Sequence, residues 1–327
     1  MSFICLVWMS YAVRAEEPPN VAEAKKEGKV TLYVSAQLPL AQAISRSFEK
    51  KYPLLKVEIT RTSGETLLNR IKTEKLAGKI GFDVVYGATV PLMPSLGVIT
   101  PYASPEAKAY SAKLREPKDF WTAVSANYYV IGYNTKLVPK SDAPRDWKDL
   151  LLPRWKGAFA MDPEEFSWFG AMETYLGEEQ ANRLMAGLSR QEIQWRKNHT
   201  TLAQFLAAGE YPGALVYAHG IEEMKGKGAP VEWVRTSKPI VLDIQATGLA
   251  AQAAHPHGAK LFIDFLLSGD GQGVIYHDGK IPIRPGVVPE SSALYPASLD
   301  LYPTPAKVTT SLNQYAAKFE QVFGPRR

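Results

Sequence analysis

Asn127-Tyr128-Tyr129-Val130-Ile131-Gly132-Tyr133-Asn134 decides how this chain is organised. Its aromatic and β-branched residues predict a strand, and the stretch is too uniform in β-formers for a surface loop. Pro239-Ile240-Val241-Leu242-Asp243-Ile244 has the same character. We take the two as an outward and a return crossing between a hinged pair of lobes. Residues 28–126 and 245–290 then form one lobe, and residues 127–244 and 291–327 the other.

Upstream of the first crossing, strand and helix patterns alternate. Val30-Thr31-Leu32-Tyr33-Val34 is a strand, and Ser35-Ala36-Gln37 leads into Leu40, Ile44 and Phe48 at helical spacing. Val57 and Ile59 mark a second strand, followed at Ser63-Gly64-Glu65-Thr66 by a helix with Leu67, Leu68 and Ile71 on one face. Phe82-Asp83-Val84-Val85-Tyr86 is a third strand, stopping at Gly87-Ala88. This order predicts an α/β fold with a parallel sheet, whose ligands gather at the carboxyl ends of the strands. Between the crossings, Ala181, Leu184, Met185 and Leu188 define a helix, and Asn198-His199-Thr200-Thr201 opens another that Gly209 closes. Ala158–Met161 and Ala214–Tyr217 are strands, and Pro256–Ser268 is a helix after the return crossing.

Composition narrows the classes of function. The 327 residues exceed one small domain, and 38 basic against 33 acidic residues give a net charge of +5. The basic residues are scattered, without the polybasic run of a nucleic-acid surface. Residues 1–15 read as a signal peptide for export to the periplasm. Phe3–Met9 is apolar, Val13-Arg14-Ala15 offers small residues at a cleavage site, and no Lys or Arg precedes the run. That run is far short of the ~20 apolar residues of a membrane span. The single cysteine, Cys5, falls inside this leader, so the mature chain would lack disulfides, thiol nucleophiles and thiolate metal sites.

The chain contains no G-x-S-x-G, H-E-x-x-H, P-loop or G-x-G-x-x-G signature. Of its histidines, His255-Pro256-His257 sits at a helix start and is set aside as a metal site. What remains are polar turns at strand ends: Ser35-Ala36, Ser63-Gly64-Glu65, Gly87-Ala88-Thr89 and Asn198-His199-Thr200. Each can open a helix, where free N–H groups and the helix dipole favour anions or carbonyl groups. One such turn alone is an ordinary cap; several facing one cleft make a binding site.

A series of short motifs runs along the chain: Val30–Ala36, Phe48-Glu49-Lys50-Lys51-Tyr52-Pro53, Thr62–Glu65, Gly132-Tyr133-Asn134-Thr135, Trp147–Leu150 and Pro153-Arg154-Trp155-Lys156-Gly157. They continue at Ala208-Gly209-Glu210, Gly228-Ala229-Pro230-Val231 and His255–Ser268. In order and spacing they give the sequence a resemblance to the extracellular solute-binding proteins of ABC importers related to the ferric-ion-binding group. The resemblance implies the type II periplasmic binding fold and delivery of a small-molecule ligand, by a monomer without a cofactor, to an ABC transporter permease with its ATPase.

The resemblance also implies a tyrosine pair after the Gly209-Glu210 segment in ferric members, a histidine in the first turn and an acid after the third strand. Here those places hold His219-Gly220, Gln37 and Ala88. Because Fe³⁺ requires phenolate or carboxylate oxygens, these residues point to an anionic organic or phosphate-bearing solute and to no bound metal. The expected ligand contacts are Ser35, Ala36, Ser63, Gly64, Glu65, Ala88, His199, Thr200, Tyr217 and His219, and Trp168 is expected as a buried structural ring in preference to a ring stacking in the cleft. None is expected to be catalytic. The competing functions are a ferric-ion-binding protein and a group transferase on the same fold, the latter resting on His219, His199 or Glu65.

Overall fold

The computed structural model describes residues 19–325, so the expected leader at residues 1–15 lies outside them. Helix α1 (Pro19–Glu27) precedes strand β1 (Lys29–Val34), helix α2 (Leu38–Lys51), strand β2 (Lys56–Arg61), helix α3 (Gly64–Leu76) and strand β3 (Val84–Gly87). β1 pairs in parallel with both β2 and β3, as the alternating pattern requires. Leu40, Ile44 and Phe48 of α2 and Leu67 and Ile71 of α3 are buried, whereas Leu68 is only partly covered.

After the short strand β4 (Ile99–Thr100) comes β5 (Thr122–Asn134), which begins five residues before the octapeptide and includes all of it. Then follow β6 (Phe159–Met161), α4 (Phe166–Leu176), α5 (Glu178–Ser189), β7 (Gln194–Trp195), α6 (His199–Ala208), β8 (Gly213–Tyr217), α7 (Ala218–Gly226) and β9 (Val231–Trp233). The return strand β10 (Ile240–Ala250) is followed by α8 (Pro256–Leu267), α9 (Gly269–His277), β11 (Ile281–Pro282), β12 (Leu301–Pro303), α10 (Ala306–Thr310) and α11 (Leu312–Phe323).

The main path of the sheet runs β2-β1-β3-β10-β5-β8-β6-β7. It is mixed, not parallel throughout. The flanks are parallel, but β10 is antiparallel to β3 and β5, and β5 is antiparallel to β8. The reason is topological: a chain that crosses outward on one strand must return on its neighbour in the opposite direction. The first part of β5 pairs with β11 and its last part with β8 and β9. β10 pairs with β12 at its start and with β3 and β4 at its end. Both strands therefore belong to both flanks of the sheet, and a register shift interrupts their pairing at Gln245/Ala246.

Apolar packing accompanies each flank. On one side Phe48 meets Phe262 and Phe265 edge-on at 5.0 and 5.6 Å. On the other, Trp147 packs on Trp168 at 5.2 Å, and Phe319 of α11 meets Phe166 and Phe169. Trp168 is thus a core ring, with no part in lining the cleft described below. His255, set aside as a metal ligand, caps α8 and holds Asp83 with its Nδ1 at 2.8 Å.

Candidate functional site

A cavity of about 410 Å³ opens where β1, β3 and β8 end and where β5 and β10 cross. Ser35, Ala36, Gln37 and Leu40 come from the β1–α2 turn, Gly64 from the first residue of α3, and Ala88 from the residue after β3. Facing them are Asn198, His199 and Thr200 at the start of α6, and Tyr217 and His219 at the start of α7. Four helix N-termini therefore border one cavity, a concentration of partial positive charge. The floor is Ser125, Ala126 and Asn127 of β5, Gln245 of β10 and Tyr86, whose hydroxyl shares a 2.8 Å hydrogen bond with Ser125.

Eight of the ten expected contacts line this space; Ser63 and Glu65 do not. The Ser63 hydroxyl accepts from the Thr66 N–H as the α3 cap and donates to Thr66 Oγ1, and Glu65 is exposed. Successive helical residues are turned by about 100°, and at this helix start Gly64 faces the cavity while the side chains of Ser63 and Glu65 turn elsewhere. At α6 the Asn198 side chain accepts from the Thr200 and Thr201 N–H groups, which leaves that terminus less free for a ligand than its sequence suggests. α2 and α7 carry no such side-chain cap, so their first N–H groups have no rival acceptor from a capping side chain.

The first wall depends on close backbone approach. Ser35 donates its N–H to Tyr86 O at 3.0 Å, and a Cβ at Gly87 would lie 2.0 Å from Ser35 Oγ. Only glycine lets β1 and β3 end side by side with Ser35 in this position.

The second wall is built from rings. His199 stacks on Tyr217 at 3.8 Å, Tyr217 lies 5.7 Å from the nearly parallel His219, and Tyr129 meets Tyr217 edge-on at 5.1 Å. The Tyr217 hydroxyl donates to the Tyr129 hydroxyl at 3.5 Å. Behind this stack Glu165 is buried, its Oε1 3.3 Å from His199 Nε2 but without a well-aligned hydrogen bond. The Nδ1 atoms of His199 and His219 are likewise buried with no partner among the described residues.

Burial sets the charge state of this wall. It pushes His199 down to about 3 and, with help from Lys280 and His199, His219 to about 3. It raises Tyr129, Tyr217 and Glu165 well above their usual ranges. At neutral pH the rings and the acid behind them are therefore uncharged. Asp243, which accepts from Asn127 and Gln245 beneath the floor, is raised by burial to about 6.

Among the described residues, Lys280 is the one charged side chain lining the cavity, and no carboxylate lines it. It arrives just before β11, a strand that pairs with Ser125 and Ala126 of β5. The sequence pattern did not mark it: a two-residue strand has no periodicity, and its partner lies more than 150 positions away. Gln37, Leu40, Tyr86, Ser125, Ala126, Asn127, Asn198 and Gln245 were also absent from the expected set.

A model of the bacterial extracellular solute-binding protein family matches residues 31–273. An uncharacterized protein of Haemophilus influenzae is 29% identical over 271 residues, 78% of each chain. The major ferric iron-binding protein of Neisseria gonorrhoeae is 24% identical over 311 residues, 90% of this chain and 92% of that protein. Iron-bound HitA from Pseudomonas aeruginosa superposes with a TM-score of 0.78 at 22% identity, over 91% of this chain and 99% of that one. AfuA from Actinobacillus pleuropneumoniae, a periplasmic binding protein with fructose-6-phosphate bound, gives 0.75 at 24% identity with the same coverage. The fold is that of type II periplasmic binding proteins.

Proposed function

This chain belongs to the bacterial extracellular solute-binding protein family, and we propose that its cleft captures a small phosphate-bearing organic anion in the periplasm and presents it to an ABC importer permease. One observation carries the choice of ligand: the cavity has a lysine and no carboxylate among its lining residues. Helix N-termini and the donor groups of His199, His219 and Tyr217 complement a dianion, and the ring wall suits a sugar or other carbon body. A ferric ion fits these groups poorly. Its usual donors are anionic oxygens, and the lining residues bring neither a carboxylate nor a pair of adjacent tyrosines.

Capture proceeds by closure of the two lobes, residues 28–126 with 245–290 against 127–244 with 291–327. In support, both proposed boundaries fall in mid-strand, where Ala126 faces Ile244 and Asn127 faces Asp243, beside the register shift at Gln245/Ala246. The cavity walls come from opposite sides of that line, so closure would bring Lys280 and the turn at Ser35 toward the ring stack. The protein acts as a carrier and not as a transferase. In support, the matching family is one of binding proteins, and Glu65 does not line the cavity.

Native mass spectrometry of protein purified without denaturation, followed by calorimetric titration with fructose 6-phosphate, fructose and inorganic phosphate, tests the proposal. A retained or added phosphate ester, with no binding of unphosphorylated fructose, is the expected result. A strong tyrosinate charge-transfer band on titration with Fe³⁺ would overturn it, and turnover of the bound ester would replace the carrier with an enzyme.

A further inference from the structure

Strand β10 has a second cavity on its other side. Ile244 and Gln245 are successive residues of an extended strand and so point to opposite faces. Gln245 lines the cleft already described, and Ile244 lines a separate cavity of about 530 Å³. Its walls come from two distant stretches: Pro91 to Trp121 on one side, and Tyr302 to Thr310 on the other. Trp121, Tyr302, Ile244 and several prolines make those walls largely apolar.

Two cations interrupt this apolar lining, Lys113 and Arg115. Arg115 Nε is buried with no hydrogen-bond partner, and neither residue forms an ion pair among the described residues. Glu116, the acid among the described lining residues, has its Oε2 engaged, accepting from the Lys118 and Phe120 N–H groups at 2.6 and 3.2 Å. A buried guanidinium nitrogen without a partner carries a desolvation cost that an incoming anion would relieve.

We propose that this cavity is a second ligand site, which takes a small amphipathic organic anion with its flat apolar body between Trp121 and Tyr302 and its carboxylate or sulfonate on Arg115 and Lys113. The volume lies within the range of cavities that enclose such molecules, and one anionic group on an apolar body matches the lining. The occupant would touch both the Pro91–Trp121 stretch and the Tyr302–Thr310 stretch and so bridge them.

Anilinonaphthalene sulfonate is a suitable probe, titrated against the full chain by fluorescence, with neutral naphthalene as its uncharged control. The expected result is one site per chain, weakened about tenfold by Arg115→Met and less by Lys113→Ala, and unchanged by His219→Ala in the main cleft. Lys113 is exposed, so its variant remains informative even if Arg115→Met fails to fold. Equal affinity in both cation variants, loss of the dye in His219→Ala, or naphthalene binding as tightly as the sulfonate would each overturn the proposal.

Discussion

The two walls of the main cleft reach the same chemistry by different means. The first, at the ends of β1 and β3, is made of small residues and main chain at Ser35, Ala36, Gly64 and Ala88, with the Lys280 ammonium as the charged group of the lining. The second, at the starts of α6 and α7, is made of side chains whose charges burial has removed. A backbone wall is fixed in charge and shape, whereas an imidazole wall can take up protons when an anion arrives. The difference predicts that one wall sets a constant attraction and the other a pH-dependent one.

The strongest way to break that contrast is to remove the fixed cation. Lys280→Gln should weaken binding of fructose 6-phosphate by about 1.5–3 kcal/mol, on the order of a tenfold to hundredfold loss, with little change in melting temperature. Calorimetric titration reads this directly. An unchanged Kd would mean that the anionic group lies elsewhere.

The second wall is sharpened by pH. His199 and His219 are held near 3, below the ordinary 6.5, so their neutral forms stabilise the fold fully above pH 6.5. That stability is lost as pH falls from 6.5 toward 3, at roughly 1.4 kcal/mol per pH unit for each histidine. A bound dianion raises both values, so binding takes up protons, and affinity should rise as pH falls from about 8 to about 6.5, above the second ionisation of the phosphate ester at ~6. Titrations in buffers of different ionisation heat measure the uptake. Heats that do not depend on the buffer would show that the imidazoles do not face the charge.

The smallest expected effect belongs to the first wall. In Gly87→Ala the new methyl group would displace the Ser35 hydroxyl, costing about 1 kcal/mol of binding while leaving the affinity's pH dependence as it was. If pH dependence changed along with affinity, the two walls would not be acting independently.

The first wall was more legible in the sequence than the second. Ser35, Gly64 and Ala88 follow from one rule about strand ends, and their neighbours Ser63 and Glu65 were included only because a turn in sequence does not show which of its residues faces inward. Tyr217 and His219 came from position relative to Gly209-Glu210, although the helix α7 that they open went unnoticed. The expected helices emerged where one face was apolar. α4 was missed because Trp168, Phe169, Ala171 and Met172 are buried together, which leaves its sequence no polar side to set a period. Lys280 depends on a strand pairing between distant segments, and a local pattern carries no information about it.

The unbroken run of β5 and β10 through both flanks has a consequence for how the molecule comes apart. Each strand gives some of its hydrogen bonds to one flank and the rest to the other. Melting either flank would strand half of those donors and acceptors without partners, and the Gln245/Ala246 shift is too local to isolate one half from the other. The same two strands at which the chain can bend therefore couple the stability of one flank to that of the other.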